Sequence, residues 1–174
     1  MFDKLIDFLI SIIDHINPFV IIKEYQEAVL LRNGKFKRVM KKGLHLKYPF
    51  IDEYIQQHTL LTTLTLPAQS LVTKDNHNIV VKSVVKYRIT DVKIFCLELF
   101  DSVDAISDIS QGVIKTIIMD SNWEKCIDNG LDNLLSKKIR AEVKKYGVEI
   151  EQVTLTDIAK IRTIRLINES IVNG

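Results

Sequence analysis

The chain has 174 residues, 47% of them apolar and 26% charged, enough for one domain with a sizeable core and a short appendage. A formal net charge of +2 supplies no general pull toward nucleic acid. Two cysteines, Cys96 and Cys126, lie far apart without CxxC spacing, so they read as free thiols of a reducing compartment rather than as a disulfide or metal framework.

In chain order, residues 2–16 come first. Phe2, Leu5, Ile6, Leu9, Ile12, Ile13 and Ile16 recur at steps of three and four, with Asp3, Asp7, Ser11 and Asp14 opposite, which predicts an amphipathic helix. Asn17-Pro18 stops it, because the residue before proline is pushed out of the α region. The charges at Asp3, Lys4 and Asp7 and the lack of a small-residue cleavage site do not fit a signal peptide. Nor is there a clean span: Asp7 or Asp14 at a bilayer centre would cost on the order of 2.5–3.5 kcal/mol. Three arrangements stay open for this helix: flat in a membrane interface, one arm of a re-entrant hairpin turned at Pro18, or packed on the domain.

From residue 25 to 87 the signals are β. Strands are expected over residues 29–31, 36–40, 44–48, 55–66, 69–72 and 79–89, punctuated by Asn33-Gly34, Lys42-Gly43, Pro49, Pro67 and the polar run 74–78. In the last of these, Ile79, Val81, Val85, Tyr87 and Ile89 form the expected core face. Helical spacing then takes over. Asp91 is expected to cap a helix to residue 99, and Ser102 a longer one with Ile106, Ile109, Val113 and Ile117 inward. Ser121 to Glu124 matches a capping box, Trp123 is expected to be largely buried, and a break is expected near Asn129-Gly130. A helix through Leu131, Leu134, Leu135, Ile139, Val143 and Tyr146 should stop at Gly147. Residues 148–155 alternate imperfectly as a last strand, and 158–172 carry a weaker helical pattern.

Arg32, Gly34 and Lys35, followed by Gly43-Leu44-His45, Lys47 and Pro49-Phe50-Ile51-Asp52, stand in the order R-x-G-K…G-L-H-x-K-x-P-F-I-D. Thr73-Lys74-Asp75, Tyr87-Arg88-Ile89-Thr90-Asp91 and Tyr146-Gly147-Val148 with Val153, Thr156 and Asp157 follow in sequence. Together they resemble the stomatin/prohibitin/flotillin superfamily, the SPFH or Band 7 domain proteins, over residues 20–161. The resemblance implies an α+β fold: an N-terminal antiparallel β-sheet, then helices and a final strand, here preceded by an amphipathic membrane-associating helix. Residues 1–19 would be the membrane-associating segment, 20–161 the SPFH domain, and 162–174 a short tail. Lys42 and Asn33 stand where the family has proline and an aromatic, and Ala159-Lys160 replaces Leu-Pro. Residues 158–172 hold at most two heptads, so a minimal form without the family's C-terminal coiled coil, forming at most weak homo-oligomers, is expected.

No catalytic motif is present: there is no G-x-S-x-G, P-loop, G-x-G-x-x-G or H-E-x-x-H, and His15, His45, His58 and His77 are scattered. Glu24/Glu27 and Asp52/Glu53 read as solvated strand ends, and residues 75–78 as a plain turn. No enzyme activity, cofactor or metal is therefore expected. The basic cluster of Lys35, Lys37, Arg38, Lys41, Lys42 and Lys47 has two readings. It guards a sheet edge against aggregation, or Lys35, Lys37, Arg38, Lys41 and Lys42 contact lipid headgroups, each adding about 1 kcal/mol near an anionic surface. Nucleic acid is disfavoured, since Phe36 is the sole interleaved aromatic. The resemblance implies a scaffold on the cytoplasmic face of a membrane. It would organise or regulate membrane proteins, with membrane lipids and other SPFH subunits as partners. The alternative is a soluble interaction module that competes with or modulates another SPFH assembly, as a compact viral or phage version would.

Overall fold

The computed structural model describes residues 18–128 and 130–161. In chain order the elements are β1 (Phe19–Ile22), β2 (Gln26–Arg32), β3 (Lys35–Met40), β4 (Gly43–Leu46), β5 (Asp52–His58), β6 (Thr62–Val72) and β7 (Asn78–Ile89). Helices α1 (Val92–Leu97), α2 (Ser102–Met119), α3 (Trp123–Cys126) and α4 (Leu131–Val143) follow, then a 3-10 turn (Lys144–Tyr146) and β8 (Val148–Lys160). This is the expected α+β order of antiparallel strands, helices and a final strand. The helix expected over residues 2–16 and the tail from residue 162 lie outside the described residues.

The strands form a β1–β4 ribbon, a β3-β2-β5 sheet and a β6-β7-β8 sheet, every pairing antiparallel. The β2–β3 hairpin turns on Asn33 and Gly34 at φ 50° and 72°, the geometry for which Asn-Gly is selected. Both faces of β2 are covered. Val29 faces the main core, whereas Ala28 and Leu30 pack with Val20, Ile22 and Met40 in a small second core under the ribbon. The β2–β3 register jumps from Leu30↔Arg38 to Leu31↔Phe36, leaving Lys37 as the extra residue of a β-bulge.

Strand β7 is the centre of the larger sheet, and Ile79, Val81, Val85, Tyr87 and Ile89 are buried on one parity as expected. The imperfect alternation of β8 has a physical cause. Its register slips by one residue at Glu151 and again at Thr156, so the inward positions run Val148, Ile150, Val153, Leu155, Ile158. Residues 158–160 therefore extend the strand rather than open a helix.

Helix α4 buries Leu131, Leu135, Ile139 and Val143 and lays a second stripe on the free edge of β8. Asp132 accepts from the Leu155 N–H (3.1 Å), Ser136 from the Val153 N–H (2.8 Å), and Arg140 donates to the Ile150 carbonyl (2.7 Å). The steps match: four helical residues rise about 6 Å, and two strand residues span about 6.6 Å, the second step taking three residues because Glu151 is bulged out of register. Gly147 ends this unit at φ 72°, its carbonyl accepting from the Thr90 and Asp91 amides; a Cβ there would meet the Asp91 carbonyl oxygen at 2.5 Å. Leucine or isoleucine side chains buried this completely contribute about 1.5–3 kcal/mol each.

Several local expectations are corrected. The break expected at Pro67 falls instead over residues 59–61, and Pro67 sits in a bulge of β6, an edge strand, where its missing N–H is tolerated. Asp101, not Ser102, caps α2 by accepting from the Asp104 N–H, while the Ser102 hydroxyl donates to the Phe95 carbonyl. The inward face of α2 is Ile106, Ser110, Ile114 and Ile118, one position round from the predicted stripe, with Ile109, Val113 and Ile117 half-buried beside it. The capping box at residue 121 does not form. Asn122 makes no side-chain cap, and Asp75 of the β6–β7 turn accepts from the Trp123 N–H at 3.1 and 3.2 Å. Trp123 packs partly buried against the main core, with the Lys160 ammonium 4.4 Å from its ring centroid.

Candidate functional site

Among the described residues, the β1–β4 ribbon carries an outward apolar face. Its register puts Phe19 opposite Leu46 and Ile21 opposite Leu44, so these four share one face. The other face holds Val20 and Ile22, which are buried in the small core. Turned away from that core, Ile21 is 72% exposed, Leu44 64% and Leu46 62%. Tyr48, Phe50 and Ile51, which follow β4 in the chain, are exposed as well. Alternation of Leu44, Leu46 and Tyr48 is legible in the sequence, but alternation alone does not say which side meets the core. Here the apolar side faces out.

Beside the ribbon runs the basic strand β3, an edge of its sheet. Lys35, Lys37, Arg38, Lys41 and Lys42 are all exposed, but they do not act as one cluster. Lys42 lies 2.5 Å from the Glu24 carboxylate in an exposed pair worth little on its own. Lys37 and Arg38 both line a cavity of about 430 Å3 between the sheet and the ribbon, together with Arg32, Lys47, Tyr48 and Leu46. Adjacent strand residues ordinarily point to opposite faces; the bulge at Lys37 re-aims one of the two. Arg38 also donates to the Leu46 carbonyl at 3.2 Å, tying β3 to β4.

Arg32 lines this cavity, and its partner Asp52 is buried rather than the solvated strand end the sequence predicted. Register places them directly opposite on β2 and β5. The guanidinium donates twice, Nε to Oδ1 at 2.7 Å and Nη2 to Oδ2 at 3.0 Å, and the Tyr48 N–H adds a third bond at 2.8 Å. The hydrogen bond from Arg32 is the chief cause holding the Asp52 carboxyl below the usual carboxylate range, with the Tyr48 amide helping and burial opposing. The same bond raises Arg32. Neither the pairing nor the outward ribbon face had a signal in the sequence, because each depends on which strand neighbours which.

The remaining candidate groups have structural partners. Cys126 is buried and Cys96 half-buried; burial raises both thiols, so neither is an activated nucleophile. His58 stacks on Tyr25 with ring centroids 5.6 Å apart, and Asp75, lowered chiefly by the Thr73 hydroxyl, docks the β6–β7 turn on α3. Among the described residues no group of three or more His, Cys, Asp or Glu could hold a metal, and no helix is long and apolar enough to cross a membrane. The predicted membrane-binding side chains Phe2, Leu5, Ile6, Leu9, Ile12, Ile13 and Ile16 lie outside the described residues.

Comparison with known proteins agrees with the fold. The model of the SPFH domain / Band 7 family matches residues 20–167. An uncharacterized protein of Methanocaldococcus jannaschii is 27% identical over 152 residues, covering 86% of this chain and 76% of the relative. A stomatin homolog of Pyrococcus horikoshii is 25% identical over 140 residues, 79% of this chain and 53% of the relative. The HflC protein of Buchnera aphidicola is 36% identical over 85 residues, which is 45% of this chain and 25% of that protein. The chain thus spans about half the length of the stomatin homolog and a quarter of the HflC protein.

Proposed function

The chain belongs to the SPFH domain / Band 7 family, and from that premise we propose that it attaches to the cytoplasmic face of a membrane and organises or regulates membrane proteins there, without chemistry of its own. Its partners in this reading are membrane lipids, membrane proteins and other SPFH subunits. The observation that carries it is the outward apolar face of the ribbon, Ile21, Leu44 and Leu46 with Phe19. That face begins one residue after Pro18, where the amphipathic pattern of residues 2–16 ends, and the basic strand β3 runs nearby. Residues 1–19 are accordingly the attachment segment. A helix and a ribbon inserted together need no span: apolar area supplies the insertion energy and the cations add a salt-sensitive term.

Sedimentation of the full chain with anionic vesicles tests this. The wild type is expected to pellet. Leu44→Asp with Leu46→Asp, and separately Leu9→Asp with Ile13→Asp, are expected to move it to the supernatant while the folded spectrum stays unchanged. Both ribbon leucines are already exposed, so the first pair does not reach the core. A wild-type chain that stays in the supernatant overturns membrane attachment and leaves the soluble module that competes with another SPFH assembly.

A further inference from the structure

Resting on the membrane reading, the geometry points to the cavity between β3 and the ribbon as a phosphomonoester site that takes the phosphate of an anionic lipid headgroup. The charge count favours a dianion. Asp52 pairs with Arg32, whereas no carboxylate among the described residues pairs with Lys37, Arg38 or Lys47. Three cations therefore remain along a cavity of about 430 Å3, and a phosphomonoester near neutral pH carries a charge of about −1.5 to −2 on acceptor oxygens.

Two of these three cations, and Arg32 beside them, are also held in place. Arg38 is tied to the Leu46 carbonyl, and the Lys47 ammonium lies 5.5 Å from the Tyr54 ring centroid. Arg32 is clamped by Asp52, and its guanidinium carbon sits 4.4 Å from the Tyr48 ring centroid. Groups already ordered lose less entropy on binding. The bulge at Lys37 is the discriminating feature. Guarding a sheet edge needs charge on the strand but no device that brings consecutive cations to one cavity. Leu46 lines the cavity and also belongs to the outward apolar face, so a lipid with its chains against that face would present its headgroup here.

The shared chemistry, a phosphate dianion, could come from a lipid or from solution, and two arms separate the sources. In the first, the full chain is titrated with vesicles carrying phosphatidic acid or, at equal surface charge, phosphatidylglycerol, a diester. The expected result is a preference of about tenfold for phosphatidic acid. Lys37→Gln with Arg38→Gln abolishes that preference. Lys35→Gln with Lys41→Gln, which removes the same charge outside the cavity, weakens binding to both lipids and keeps it. In the second arm, inorganic phosphate is titrated into the wild type and amide shifts are read at Lys37, Arg38, Lys47 and Tyr48. Shifts there without vesicle binding would uphold the cavity as an anion site and overturn both the lipid source and the membrane reading. Vesicle binding with equal affinity for the two lipids, and no shifts, would overturn the site while leaving membrane attachment standing.

Discussion

Arg32 and Asp52 lie opposite each other across β2 and β5, and their pairing makes stability depend on pH in a definite direction. The folded state lowers the Asp52 pKa, so this carboxylate stabilises the fold above its unfolded value of about 3.9 and the contribution disappears as pH falls through the lowered value. Asp52→Asn should therefore unfold at lower denaturant than the wild type near neutral pH. The gap should narrow as the buffer is taken to about pH 3 and below. Denaturant midpoints of the two proteins across that range provide the check, and a gap that stays constant would mean the ion pair is not its cause. The same pair shows what a linear sequence conceals. Arg32 and Gly34 are recognisable beside a turn, and Asp52 is recognisable after Pro49. That they meet requires β5 to lie next to β2, with β4 diverted to β1.

At the scale of elements, α4 does two tasks from one helix. Its Leu131, Leu135, Ile139, Val143 stripe was legible because burial at a fixed helical step is periodic. The stripe of Asp132, Ser136 and Arg140 was not, because polar residues on a helix ordinarily signal solvent, and here they satisfy a strand. Ser136→Ala should leave the Val153 N–H unsatisfied, at a cost of about 1–3 kcal/mol. Amide exchange should accelerate at Val153 more than at Val85, its partner inside the sheet. Equal acceleration at both amides would indicate a general loss of stability instead. The bulges in β8 were half-legible in the same sense. The three-residue steps from Ile150 to Val153 and from Leu155 to Ile158 are visible in the sequence, and each is a period-two pattern with one residue inserted. Likewise the α2 stripe was misplaced by one position because Ser110, buried with its hydroxyl donating to the Ile106 carbonyl, does not look like a core residue.

At the scale of the whole molecule, the described residues form two cores of unequal size: an extended one joining β6, β7 and β8 to the helices, and the small one formed by Val20, Ile22, Ala28, Leu30 and Met40. With so little apolar area beneath it, the ribbon should open without global unfolding. Amides of β1 and β4 should exchange on the order of 100-fold faster than those of β7 in the absence of vesicles. Indistinguishable protection would show a single cooperative unit. The two borders of the larger sheet differ in kind. Beyond β8 stands α4, whose side chains take up spare backbone groups of residues 150–155; beyond β6 no further strand is paired among the described residues. In the language of polymers, this sheet has a valence of one. Strand-to-strand association through its open border closes a pair of copies, and a larger array then grows through other faces.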